Sequence, residues 1–100
     1  MKLKNEFEPI RQWAEAKGIY SKGDVKTQYV KLQEECGELA KAIINDDMDE
    51  FIDAIGDCVV VLTSVAKFKG VSIEECINSA YKIIEARSGK MVNGSFIKNK

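Results

Sequence analysis

The sequence predicts an all-α protein: four helices in a bundle-like arrangement, closed by a short C-terminal hairpin or tail. Apolar residues recur at three- and four-residue intervals through most of the chain, and capping residues and glycines divide that pattern into segments joined by short connections. A single proline leaves the periodic stretches unbroken. One hundred residues, 45% hydrophobic and 31% charged, suit one globular domain spanning 1–100 rather than a disordered or fibrous chain. A chain this short buries only about two-thirds of the surface its unfolded form exposes, so self-association would add to a modest core.

The first helix covers residues 5–17. Phe7, Ile10, Trp13 and Ala14 fall at helical spacing, which marks them as core, and Lys17-Gly18 gives a basic last turn followed by a C′ glycine. Residues 19–23 form a connector. Asp24 caps the second helix, whose stripe of Tyr29, Leu32, Cys36, Leu39 and Ile43 runs to about Asn45-Asp46 with charges on the other face. Asp47 followed by Glu50 is a capping signature, and the third helix runs from about Met48 to Lys69, stopping at Gly70. The loop between the second and third helices is therefore very short. Ser72 with Glu75 opens the fourth helix, carried by Ile73, Ile77, Tyr81 and Ile84 to about Gly89. In the remaining segment, 90–100, Asn93-Gly94 is a turn signal between the strand-compatible pairs Met91-Val92 and Phe96-Ile97.

Several function classes are disfavoured. The formal charge is −1 and the lysines form no stripe, so polymeric nucleic acid is not an expected partner. The N-terminal stretch Met1–Pro9 lacks an apolar run and no later segment is long and apolar enough to span a bilayer, so neither a targeting signal nor a membrane partner is expected. Cys36, Cys58 and Cys76 are odd in number and never form CxxC, which points to reduced, half-buried thiols in the cytoplasm. Histidine is absent, leaving carboxylate, lysine, tyrosine or metal-activated water for any chemistry.

Acidic residues carry the strongest signal. Glu34, Glu35 and Glu38 lie on the second helix, and Glu50, Asp53 and Asp57 on the third. In a hairpin centred near residue 46, Glu35 falls opposite Asp57, and Glu38 opposite Asp53 or Ala54. Spacings of three and four residues put each pair on one helix face, so Glu35, Glu38, Asp53 and Asp57 can converge. Such a cluster repels itself unless a cation neutralises it, and an all-oxygen set suits Mg²⁺, with Mn²⁺ as substitute. Asp57 is the one charge in the apolar run 54–66, a stretch expected to be buried on all sides together with its aspartate. Gly37 and Gly56, inside helices beside these acids, read equally as close helix packing or as room for a ligand.

These residues resemble a known family. The run KLQEECGELAK from Lys31 to Lys41, followed by DAIGDCVVVL from Asp53 to Leu62, is similar to the EExxE and ExxD motifs of the MazG-like all-α nucleotide pyrophosphohydrolases. The Trp13 region and the ending Arg87-Ser-Gly-Lys-Met-Val-Asn-Gly extend the resemblance over nearly the whole chain, toward the short MazG-like proteins of phages and their hosts. It implies hydrolysis of a nucleoside or deoxynucleoside triphosphate between the α and β phosphates, in a homodimer or homotetramer. It implies Glu35, Glu38 and Asp57 as metal ligands and Glu34 as a residue that binds metal or orients water. Ala54 stands where the family has its second-helix glutamate. Either Asp53 replaces it, the favoured reading, or Glu50 and Asp53 form the motif in a shifted register.

In the expected mechanism, Glu34 or Glu38 accepts the proton of the attacking water. Lys31, Lys82, Arg87 and Lys90 are the candidate triphosphate cations, with the Asn93-Gly94 turn able to fold over a substrate. Trp13 is a candidate for stacking on a base, although its spacing fits core better. Two rival readings stand beside the enzyme: a non-catalytic module that binds a nucleotide or nucleotide alarmone, motivated by Ala54, and a purely structural oligomerisation domain. A carboxylate-bridged di-iron bundle is set aside for want of histidine.

Overall fold

Capping chemistry decides the element boundaries in the computed structural model, which describes residues 5–99. The first four residues of the stretch read for a leader, and Lys100 of the last segment, lie outside the described residues. Helix α1 (Phe7–Ala16) ends where Gly18 takes a φ of 80°, the left-handed conformation suited to a C′ glycine. The connector holds a single helical turn, α2 (Ile19–Lys22), because the Lys22 and Gly23 amides donate back to the Gly18 and Ile19 carbonyls. One turn is too short to show periodicity, so the described residues hold five helices where four were expected.

Helix α3 (Val25–Ile44) begins at Asp24, whose carboxylate accepts from both the amide and the hydroxyl of Thr27. It ends in a Schellman motif: Asp46 adopts a φ of 52°, and the amides of Asp46 and Asp47 donate to the carbonyls of Ile43 and Ala42. Asp47 then caps α4 (Met48–Phe68) by accepting from the Glu50 amide, so residues 45–47 alone join the two long helices. Helix α4 closes in the same motif at Gly70. Ser72 and Glu75 form a reciprocal capping box at the start of α5 (Ile73–Glu85), which stops before the expected boundary near Gly89 because Gly89 already belongs to a strand.

Strands β1 (Gly89–Val92) and β2 (Ser95–Lys98) pair antiparallel, with Val92 opposite Ser95. Asn93 and Gly94 join them with φ angles of 51° and 83°, the two left-handed positions of a type I′ turn. Glycine is needed at residue 89, where a Cβ would collide with the Phe96 ring and the Ile97 carbonyl oxygen.

The closest helix pair is α3 against α4, with α1 packed across α4 and α5 joining at its first turn. Arg11 of α1 holds Glu74 of α5 by two parallel hydrogen bonds of 2.6 and 2.8 Å. The buried apolar residues are small: Ala14, Ala42, Ala54, Val61, Ala66 and Ile73. The Tyr20 ring meets Phe68 edge-on at 5.6 Å. Many larger apolar side chains face outward, Ile44 being 81% exposed. The expected all-round burial of residues 54–66 is corrected accordingly: Ala54, Val61, Thr63, Ser64 and Ala66 are buried, whereas nothing in one chain covers Ile55 and Leu62. No helix among the described residues is long and apolar enough to cross a membrane.

Candidate functional site

The tight turn at 45–47 sets the register of α3 against α4, and that register brings acids together. Glu35 turns into the seam, its side chain 14% exposed, while the adjacent Glu34 points outward at 63%. Lys31, one turn earlier, sets its Nζ 3.4 Å from Glu35 Oε1 and 3.8 Å from Glu34 Oε2. Asp57 of α4 is half-buried, not fully buried as expected, and faces Glu35 across the seam. Burial raises the pKa of Asp57 above the usual carboxylate value; the charges of Asp53 and Glu35 and the contact with Glu35 push the same way, and Lys31 opposes them. Glu35, Asp53 and Asp57 thus form one electrostatic group.

Glu38 lies nearer the turn. It lines a cavity of ≈ 360 Å³ with Lys41, Asn45, Asp47 and Glu50. The four carboxylates expected to converge therefore share one seam, but among the described residues no three acidic or thiol side chains close on a single point. Asp53 acts electrostatically on Asp57, while Glu50 lines the cavity nearer the turn with Glu38. Ala54 itself is 3% exposed, inside the seam. The oxygen-only donors suit a hard cation.

Helix α1 supplies the opposite wall. Between it and α4 lies a cleft of ≈ 610 Å³ lined by Phe7, Ile10, Ile52, Asp53, Gly56 and Asp57 among others. A recess of ≈ 390 Å³ shares Ile10, Asp57 and Val60 with it and adds Pro9 and Trp13. Trp13 is 50% exposed and rims this recess, so the core position suggested by its spacing is corrected: only one side of α1 docks on α4. A Cβ built on Gly37 or Gly56 would meet nothing within 4 Å. Within one chain these glycines are not close-packing residues; they leave open space beside the acids.

The other candidate cations are placed elsewhere. Lys82 lies on α5, Arg87 just beyond it, and Lys90 and Asn93 on the hairpin, all exposed. Among the described residues Lys82, Arg87 and Lys90 make no ion pair, and the strands contact chiefly each other. Of the four basic residues proposed for triphosphate, one chain brings Lys31 alone to the seam acids. The cysteines are free thiols; Cys36 and Cys76 are exposed, not half-buried as expected, and Cys58 is half-buried, its thiol pKa raised by burial and then by its neighbour Cys36 across the seam. Sequence reasoning missed that Phe7, Pro9 and Ile10 approach Asp57, since no local signal reports how α1 docks on α4.

Comparison with known proteins adds a family model described as the MazG nucleotide pyrophosphohydrolase domain, which matches residues 24–92. An "Uncharacterized 18.2 kDa protein in rep-hol intergenic region" of Haemophilus phage HP1 (strain HP1c1) is 37% identical over 65 residues, covering 65% of this chain and 40% of the phage protein. The chain thus spans well under two-thirds of that relative's length. No solved structure matches.

Proposed function

The chain belongs to the MazG nucleotide pyrophosphohydrolase domain family, and on that basis we propose that it hydrolyses nucleoside or deoxynucleoside triphosphates between the α and β phosphates. Water is consumed, and the monophosphate and pyrophosphate leave. The observation that carries this reading is the cleft holding Asp53 and Asp57 with the apolar Phe7 and Ile10, and the adjoining recess where Asp57 and Ile10 meet Trp13; Glu6 lines both. A nucleotide has the same division, with a flat apolar base at one end and a charged phosphate chain at the other.

Glu35, Asp53 and Asp57, with Glu38 toward the turn, would hold Mg²⁺ or Mn²⁺. Such an ion supplies neutralisation of charge on the phosphate oxygens and activation of water. Glu34, which lies beside Lys31, or Glu38, which lines the cavity nearer the turn, would accept the proton of the attacking water. Lys31 steadies Glu35 and is near enough to the seam to meet a phosphate. Trp13 and Ile10 flank the base, and Gly56 leaves room for it. The protein works as a homodimer or homotetramer in the cytoplasm, where its three thiols stay reduced.

Pyrophosphate release from the eight common NTPs and dNTPs, with Mg²⁺, Mn²⁺ and EDTA, tests the proposal. Metal-dependent formation of monophosphate and pyrophosphate is the expected result. One observation favours a second reading: Ala54, at the position of the family glutamate, is buried in the seam and brings no carboxylate to it. Nucleotide binding with no product from any of the eight would establish a binding module instead.

A further inference from the structure

A compact protein of this mass exposes about 5,700 Å², whereas this chain exposes 7967 Å². Its radius of gyration is 16.1 Å, against about 13 Å for a compact chain of 100 residues. The excess surface, about 2,300 Å², is in the range that one partner buries in an obligate homo-oligomer.

From residue 75 to residue 99 every residue is exposed. Of α5, Ile73 alone among the described residues is buried, so this 13-residue helix is anchored at its first turn and carries the hairpin about 20 Å away from it. All eight strand residues are exposed, including Met91 at 66% and Phe96 at 50%. An isolated two-stranded hairpin is marginal in water and gains stability only against another surface. The register puts Met91 and Phe96 on one face, and Lys90 and Ile97 on the other.

Charge points to that surface. Residues 86–99 contain Arg87, Lys90 and Lys98 and no acid, whereas residues 34–57 hold nine acidic residues against Lys41 alone. The acidic hairpin also exposes Ile44, Met48 and Ile52, apolar partners for the strand side chains. The seam has one lysine of its own chain beside Glu35, and a triphosphate needs more.

We propose that the β1–β2 hairpin is an arm that lays Arg87 and Lys90 against the α3–α4 acidic seam of a second copy of this chain, so that each triphosphate site is built from two chains. The assignment of phosphate-binding cations in trans rests on the seam being the triphosphate site; the docking of the arm rests on exposed area and charge.

Two measurements separate these. In a mixture of ¹⁴N and ¹⁵N chains carrying a photoreactive residue in place of Lys90, cross-links should land within residues 34–57, about half of them joining a light chain to a heavy one. Cross-links confined to chains of one isotope overturn the arm whether or not the protein turns anything over. Mixing Asp57→Asn chains with Arg87→Ala/Lys90→Ala chains, each without turnover alone, should restore about one quarter of wild-type turnover after subunit exchange. No recovery, with an active wild type, overturns the sharing of the site. An inactive wild type with light–heavy cross-links overturns the hydrolase reading and upholds the arm.

Discussion

Asp57 of α4 and Glu35 of α3 face each other across the seam, although each would carry a negative charge in water at neutral pH. Two carboxylates in contact are tolerated when a proton or a cation lies between them. Burial, Asp53 and Glu35 all favour the protonated form of Asp57 in the metal-free protein. On the proposed function, a divalent cation would compete for the same place.

The first prediction concerns that competition. Mg²⁺ or Mn²⁺ at 100 times its Kd should stabilise the wild type by about 2.7 kcal/mol, seen as a rise in Tm. Asp57→Asn should abolish the rise while melting no lower than wild type without metal, because the amide removes a charge that its surroundings disfavour. Asp57→Asn and Glu38→Gln should both lose pyrophosphate release with helix content intact by circular dichroism. Full turnover in both variants would remove these acids from the reaction.

Gly56→Ala separates stability from function. Its Cβ meets nothing within 4 Å, so the fold accepts it, and replacing a helical glycine by alanine should add about 1 kcal/mol of stability. The added methyl occupies the cleft beside Asp57, so KM for the preferred nucleotide should rise several-fold. A variant with higher Tm and unchanged KM would show that the nucleotide does not use this cleft.

Trp13 is the single tryptophan, which makes its fluorescence a direct report on the recess it rims. Saturable quenching on nucleotide titration is expected, in the presence or absence of turnover. Trp13→Ala should weaken nucleotide binding about tenfold, or about 1.4 kcal/mol. Its cost in stability should stay below the 3–5 kcal/mol of a fully buried tryptophan, since half of the ring is already exposed. Fluorescence unmoved by any of the eight nucleotides would place the base elsewhere.

The Arg11–Glu74 pair sets an acid-dependent contribution to stability. Hydrogen bonds from the Arg11 side chain hold the Glu74 pKa down to about 2, from an ordinary 4.5. A depressed folded-state pKa stabilises above the unfolded value and is lost as pH falls through the folded one. The Tm gap between wild type and Glu74→Gln should therefore be full above pH 5 and close as pH drops toward 2. The pair is partly exposed, so added salt should narrow the gap at neutral pH. A gap that persists at pH 2 would assign the effect to packing.

The helix ends were legible because capping is local: Asp24, Asp47 and Ser72 each satisfy amides within three residues of themselves. The meeting of Glu35 with Asp57 was also legible, since a three-residue turn leaves two long helices one register, and counting outward from it pairs their positions. The α2 turn was not, because four residues carry no period. Trp13 was misplaced for a different reason. Its spacing says which residues share a face of α1, but not how much of that face α4 covers.

Local chemistry thus settled the helices, the Asn93-Gly94 hairpin and the placing of acids on a common seam, each within a few residues of its cause. Tertiary structure alone decided that α1 walls the cleft over Asp57, that Glu38 lines a cavity with Glu50 near the turn, and that the hairpin strands contact chiefly each other. These depend on how helices distant in sequence dock, and docking is set by the total surface two faces can bury together. Among the described residues the buried apolar side chains are mostly alanines, so that surface is small, and many large side chains stay outside it.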